Sequence, residues 1–331
     1  MVRNTPLPAL AGAAALAAAL LLSLLVGANP RPVPELLDAL LGGGTAETRF
    51  VLWEQRVPRT AAGLAVGAAL GAAGALIQAF TRNPLADPGI LGVNSGAAFA
   101  VAVGVAFFGL TDPADYMWPA CAGALLLTLA VYGVGAAGGP DSGPVRLTVT
   151  GVALGAVFSG LTTGLTLTRP DAFDRMRGWN AGSLLERGFD VLLPVLPLLA
   201  AGLVLAAALA PALNSVALGA DTARAQGVDT GLVRAGVLAA VTLLAGGATA
   251  VAGPIAFVGL MVPHAVRWAV GPDQRRIIAG TLVAAPVLVL LADVLGRVAV
   301  PPGEMPVGVV TAFAGAPVLI ALVRRPKASA L

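Results

Sequence analysis

The stretch "AAGLAVGAALGAAGALIQAFTRNPLADPGILGVNSGAAFAVAVGVAFF" (Ala61–Phe108) decides the fold. A Gly- and Ala-rich apolar run comes first, then Arg-Asn-Pro-Leu-Ala-Asp-Pro-Gly at 82–89, then a second apolar run. Each run approaches the ~20 residues that a helix needs to cross the hydrocarbon core of a bilayer. Pro84 and Pro88 lack an N–H and push Asn83 and Asp87 out of the right-handed helical region, while Gly89 tolerates conformations that other residues avoid. The pattern reads as two spanning helices joined by a polar reversal.

The rest of the chain repeats that alternation. Its 331 residues are 57% hydrophobic and only 11% charged, with a mean hydropathy of +0.88, far from the balance of a soluble domain. The length leaves room for about ten spans in one transmembrane domain, residues 1–331. They fall roughly at 7–28, 60–80, 90–110, 117–137, 147–168, 190–213, 232–252, 255–270, 277–300 and 306–323. The runs lack the in–out alternation of barrel strands, so the expected fold is all-α. Arg3 and "VGAN" (Val26–Asn29) give the first run signal-like flanks, but its about 22 apolar residues exceed a usual signal core, so a retained helix is expected.

An even number of spans puts both termini on one side. That side receives Arg3, Arg82, Arg146, Arg224, Arg234, Arg267, Arg275, Arg276, Arg324, Arg325 and Lys327 against few acids, which makes it cytoplasmic by the positive-inside tendency. The opposite side also holds arginines, among them Arg49, Arg56, Arg59 and Arg187, but most of the acids as well.

Several absences restrict the chemistry. Lys327 is the only lysine and follows no Gly-rich loop, so a P-loop that wraps nucleotide phosphates is missing. One histidine, His264, and one cysteine, Cys121, make neither a zinc cluster nor an internal disulfide, and Cys121 reads as a packing residue. Asp171 and Asp174 have the spacing of a Mg-diphosphate box but sit among Arg169, Arg175 and Arg177, as in a solvated mixed-charge loop. Asp293, one helical turn from Arg297, is the main carboxylate inside a span. It reads as an i,i+4 ion pair at a helix end, with a coupling-proton site of an ion-coupled secondary transporter as the alternative.

Gly63, Gly67 and Gly71 share one helix face, with Gly74 beside them, so that a neighbouring helix can approach closely. A looser echo in "LLAGGATAVAGPIAFVGL" (Leu243–Leu260) suggests an inverted repeat relating spans two to five and seven to ten.

Six segments carry a family resemblance. They are "RVPR" (Arg56–Arg59), "GAALGAAGALIQAFTRNPLADPGILGVNSGA" (Gly67–Ala97), "GVALG" (Gly151–Gly155), "LNSVALGADTARAQGV" (Leu213–Val228), "GPIAFVGLMVPHAVR" (Gly253–Arg267) and "PVGVVTAFAGAPVLIALVRR" (Pro306–Arg325). Together, and in this order, they resemble the FecCD family, the permeases of ABC importers for iron-siderophores, haem and cobalamin. The resemblance implies a cobalamin-permease-like fold in the bacterial cytoplasmic (inner) membrane. It implies a second permease subunit, identical or different, two P-loop ATPase subunits that bind ATP and Mg, and an extracytoplasmic binding protein. No cofactor on this chain, no catalytic residue and no nucleic-acid partner are expected; membrane lipid surrounds it.

The resemblance also assigns roles. Asn83, Pro84 and Leu85 match the residues that help to close the cytoplasmic mouth, and "SGPV" (Ser142–Val145) resembles a second gate segment, with Ser142 and Pro144. Pro144 stands where relatives often carry small hydroxyl residues, a departure that weakens a polar gate there. Leu213, Asn214, Leu218, Gly219, Ala223, Gly227 and Val228 match the segment that couples to the ATPase; from the residues alone, it reads as a short Ala-rich helix stopped at Gly227. Arg56, Arg59 and Arg297 stand where family arginines pair with acids of the binding protein, the alternatives being headgroup contact or pairing with Glu54 and Asp293. His264 reads as a packing and hydrogen-bonding position, and Trp179 in "WNAGSL" as an interfacial anchor.

Overall fold

The computed structural model describes residues 7–136 and 144–324, and the described residues fold as helices and their connections. The helices are α1 (Leu7–Leu25), α2 (Val33–Leu40), α3 (Ala46–Phe50), α4 (Val57–Thr81), α5 (Val93–Phe108), α6 (Pro113–Ala136), α7 (Pro144–Thr168) and α8 (Pro170–Asn180). They continue as α9 (Phe189–Leu192), α10 (Leu196–Ala217), α11 (Ala220–Ala225), α12 (Thr230–Ala252), α13 (Val258–Val270), α14 (Gln274–Ala299) and α15 (Val307–Val323). Among the described residues, six helices are long and apolar enough to cross a membrane: 46–81, 113–135, 145–168, 196–217, 230–252 and 274–299. Shorter apolar helices at 9–25, 93–108 and 307–321 answer to three more of the expected spans.

Two boundaries and one expected loop differ from the sequence reading. The second span begins earlier than residue 60, because α3 runs through a π-helical turn, Val51–Arg56, straight into α4. The expected span at 255–270 shrinks to the 13 residues of α13, because Gly253–Phe257 is non-helical: Gly253 and Phe257 both have positive φ (72° and 69°). The acid pair Asp171 and Asp174 lies not in a loop but on α8, whose Ala172, Met176 and Trp179 form a buried face at helical spacing. Trp179 is therefore a core residue and no interfacial anchor.

The glycine face of α4 has the function its spacing suggests. A Cβ on Gly63 would lie 2.7 Å from Leu290 Cδ2, one on Gly67 2.6 Å from Pro286 Cα, and one on Gly71 2.7 Å from Ala285 Cβ, all on α14. Gly74 seats against the backbone of Gly259 on α13. Without side chains between them, the backbones come close enough for continuous dispersion contact. The pairings also mirror between halves. Helix α4 packs on α13 and α14 as α12 packs on α5 and α6, and α5 pairs with α6 and α7 as α13 pairs with α14 and α15.

Candidate functional site

Two ends of the bundle hold the residues of interest. At one end, the C-terminus of α1, the start of α4 and the end of α14 converge on three arginines. A helix leaves its last carbonyls without partners, and the end of α1 is satisfied by arginines from other helices. Arg56 Nη1 donates to Leu24 O (2.9 Å) and Leu25 O (2.8 Å), and its Nη2 donates to Asn29 O (3.2 Å). Arg297 Nη1 donates to Ser23 O (2.6 Å) and Val26 O (2.8 Å). Cations at this position also oppose the negative end of the helix dipole.

Asp293 ties this cap to α4. Its carboxylate accepts from Arg297 Nη2 (2.5 Å) and from Arg59 Nη2 (2.7 Å), while Arg59 Nη1 lies 2.7 Å from Glu304 in the α14–α15 connection. The i,i+4 pairing of Asp293 with Arg297 is present, and it is one half of a larger network. The side chains of Arg297 and Asp293 are 1% and 2% exposed. Arg56 and Arg297 thus face inward, and Arg59 is the member that reaches an outlying acid. Glu54 makes no ion pair among the described residues. Arg187 and Glu304 carried no role in the sequence reading, although both belong here; "PPGEMP" (Pro301–Pro306) offered a lone acid as the signal for Glu304.

The opposite end is built from backbone caps. At the end of α4, Arg82 adopts φ 51° and ψ 34°, with Arg82 N donating to Ala79 O and Asn83 N to Gln78 O (3.2 Å). This is the two-bond ending that usually recruits glycine. Asn83 Oδ1 then accepts from Leu85 N (3.0 Å), and Asp87 Oδ1 accepts from Gly89 N (2.8 Å) ahead of a 3₁₀ turn, Pro88–Leu91. Two side-chain turns in succession make the reversal that the prolines imply. Burial pushes the Asp87 carboxyl above the usual carboxylate range, partly offset by the Gly89 N–H. Leu85 is exposed, whereas Pro88 wedges against Gly259 of α13 and the Ile90 carbonyl against Gly151 of α7. Ser142 lies outside the described residues, and Pro144 opens α7.

Gln78, fully buried, completes this junction. Pro263 has no N–H for the carbonyl of Gly259, four residues before it, and Gln78 Nε2 donates to Gly259 O (3.2 Å) and Leu260 O (3.0 Å). A lone amide in an apolar run was the sequence signal for this role.

The segment Leu213–Val228 holds the expected short helix. Gly219 (φ 117°) starts α11; Gly227 (φ 79°) stops it, with Gly227 N donating to Arg224 O and Val228 N to Ala223 O (both 2.9 Å). Its residues separate by direction. Leu213 and Ala223 are buried, Val228 is half-buried against the core, and Leu218 is 68% exposed. Asn214 turns toward α14: its Nδ2 donates to Asp273 Oδ1 (3.1 Å) and its Oδ1 accepts from Gln274 N (2.8 Å). The Asn214 amide, aided by Arg275 N–H, holds the Asp273 carboxyl below the usual range. His264 is buried edge-on to Trp268 (ring centroids 4.7 Å), and its Nδ1 has no hydrogen-bond partner among the described residues.

Residues 15–325 match the sequence profile of the FecCD transport family. The chain belongs to that family. This FecCD permease is 52% identical over 305 residues to the ferric enterobactin transport system permease protein FepD of Escherichia coli (strain K12), covering 92% of this chain and 91% of the relative. It is 39% identical over 282 residues to the probable siderophore transport system permease protein YfiZ of Bacillus subtilis (strain 168), covering 85% and 84%. Among solved structures, a metal-chelate type ABC transporter in an inward-facing conformation superposes with a TM-score of 0.83 at 25% identity, over 97% of this chain and 99% of that one. The chain is thus a multi-pass FecCD permease with the fold of that transporter.

Proposed function

We propose that this permease is the membrane subunit of an ATP-driven importer for a ferric siderophore. The observation that carries the reading is the 52% identity, over nearly the whole length of both chains, to a permease of ferric enterobactin transport. That likeness favours a siderophore over haem or cobalamin as cargo. The iron would enter as an intact chelate, consistent with the single histidine and single cysteine of the chain.

In this reading two copies of the permease, or this chain and a related one, frame the pathway in the cytoplasmic membrane, both termini cytoplasmic. The arginine end faces outward, toward an extracytoplasmic binding protein. The α11 end faces two ATPase subunits, which bind ATP and Mg; this chain supplies no nucleotide site and no cofactor. Leu218 is the apolar contact to the ATPase, with Gly219 and Gly227 setting the angle of α11 and Leu213, Ala223 and Val228 seating it. Asn83, Pro84 and Leu85, with Ser142 and Pro144, close the cytoplasmic mouth. Arg59 is the docking arginine of the trio, braced from behind by Arg56 and Arg297. The secondary-transporter alternative loses its support, because Asp293 is committed to two arginines.

The test is uptake of radiolabelled ferric enterobactin into proteoliposomes containing the permease with its ATPase and binding protein. ATP-dependent uptake that a ferric hydroxamate does not compete away is expected. Uptake driven by a proton gradient without ATP would contradict the reading.

A further inference from the structure

One side chain joins the end of α10 to the start of α14. Asp273 is the N-cap of α14, where its Oδ1 accepts from Arg275 N (2.9 Å). A cap serves only part of a helix's first turn, and other N–H groups there need partners from elsewhere. Asn214, in the last turn of α10, supplies one: its Oδ1 accepts from Gln274 N (2.8 Å) and its Nδ2 donates to Asp273 Oδ1 (3.1 Å). Gln274 is 3% exposed, so its N–H depends on that amide. Acceptor and donor of one side chain are therefore spent on the start of another helix, 59 and 60 positions along the chain.

Asn214 stands just ahead of Leu218 and Gly219, which open α11. The exit from α11 is tied differently: Asp229 caps α12 through Gly231 N and Leu232 N, within its own turn. The cap on the exit is local; the bond at the entry crosses to another helix. From that bond α14 runs 26 residues, about 39 Å at 1.5 Å per residue. Its Thr281, Ala285 and Pro286 seat on Gly71 and Gly67 of α4, and Pro286 is thereby braced where the helix lacks an internal bond. At the far end Asp293 bonds Arg59 of α4 and Arg297. A helix held along its length moves as a unit, and coupling between distant sites needs such an element.

We propose that Asn214 is a positioning residue: it makes the end of α10 and the start of α14 one body, so that a push on α11 moves α14 against α4. Asn214 then acts inside the permease and touches no ATPase. The source of the push, an ATPase seated on α11, rests on the function proposed above.

The assembled complex in proteoliposomes is compared as wild type, as Asn214→Ala, and as the reciprocal double variant Asn214→Asp with Asp273→Asn, which keeps one carboxylate facing one amide donor. The readouts are the ATPase retained, the ATP hydrolysed and the ferric enterobactin taken up per ATP. Asn214→Ala is expected to keep its ATPase and to hydrolyse ATP, but to take up at least about tenfold less chelate per ATP. The double variant should recover to within about twofold of wild type. A mere loosening of the fold would lower the amount of complex and leave uptake per ATP unchanged. That unchanged ratio in Asn214→Ala would overturn the proposal, as would loss of its ATPase, which would make Asn214 a partner contact. A folded double variant that stays uncoupled would overturn it too. A second arm needs no cargo: in nanodiscs with the ATPase, amide exchange at residues 274–278 is expected to change in the wild type when a non-hydrolysable ATP analogue binds, and to stay unchanged in Asn214→Ala. No change there in the wild type would overturn the proposal. Wild-type liposomes without ATP-driven uptake would count against the siderophore reading, and the exchange arm would still decide the role of Asn214.

Discussion

The two ends of the bundle solve the same problem, how to finish a helix at a membrane boundary, with opposite chemistry. At the arginine end the last carbonyls of α1 accept from Arg56 and Arg297, and buried Asp293 locks Arg297 to Arg59. At the α11 end helices close on their own backbone, through Arg82, Asn83, Asp87, Gly227 and Asp229, and large apolar side chains such as Leu218 remain exposed. One end is cross-linked internally by charge. The other ends its helices through local turns, is joined across helices by the neutral amides of Gln78 and Asn214, and presents apolar surface such as Leu218 outward. The difference teaches that positive charge beyond the expected cytoplasmic side has a structural cause here: two of the three arginines cap α1.

The comparison breaks most severely at Arg297. Replacing Arg297 with Met leaves Asp293 buried with one cation fewer and the Ser23 and Val26 carbonyls without donors. A loss of about 3–5 kcal/mol is expected, read as a lowered unfolding temperature in detergent, with early proteolysis between α1 and α2. Adding Asp293→Leu to Arg297→Met should recover part of the loss, since the remaining buried charge is removed. If Arg297→Met is as stable as wild type, the brace is not one. Converting Arg56, Arg59 and Arg297 together to Glu, a natural test of docking from sequence alone, would dismantle this end before it reported on any partner; Arg59→Gln is the cleaner docking variant.

At the other end the largest effect is expected at Gln78. Gln78→Leu removes the donor to the carbonyl that Pro263 cannot serve, at a cost of about 1–3 kcal/mol, visible in the unfolding temperature and in faster amide exchange at the start of α13. A smaller effect of opposite sign is expected at Arg82. Arg82→Gly relieves a side chain held at positive φ and should stabilise by about 1 kcal/mol or less, after the added chain entropy of glycine is subtracted. Destabilisation by Arg82→Gly would show that its side chain, not its backbone, secures the turn.

Much of this fold was legible because membrane crossing is a length rule and breakers are local. The apolar runs, the reversal at 82–89, the stop at Gly227 and the close approach of the α4 glycines all follow from residues near one another in sequence. What stayed hidden depended on distance. Arg59 meets Asp293 across 234 positions, so the pairing of Asp293 with its i+4 neighbour could be read while the bridge to α4 could not be fixed. Glu54, closer in sequence to Arg59, makes no pair among the described residues. The segment from α2 to the π-helical turn was missed because its helices are short and mixed in charge, and α13 was overextended because the apolar residues Ile255 and Phe257 lie in a non-helical strap. Between Leu213 and Val228 the family resemblance marks seven positions alike, and only packing separates exposed Leu218 from buried Leu213 and Ala223.

Leu218 gives the most direct test of the central claim that the α11 end is a surface for a partner while the arginine end is an internal brace. Leu218→Asp changes an exposed side chain, so the stability should stay within about 0.5 kcal/mol of wild type. The measurement is co-purification of the permease with its ATPase, and ATP hydrolysis by the complex, for wild type and Leu218→Asp side by side. A folded permease that has lost its ATPase and the hydrolysis that depends on it is expected. A Leu218→Asp variant that keeps a full complement of ATPase and drives uptake at the wild-type rate would contradict it.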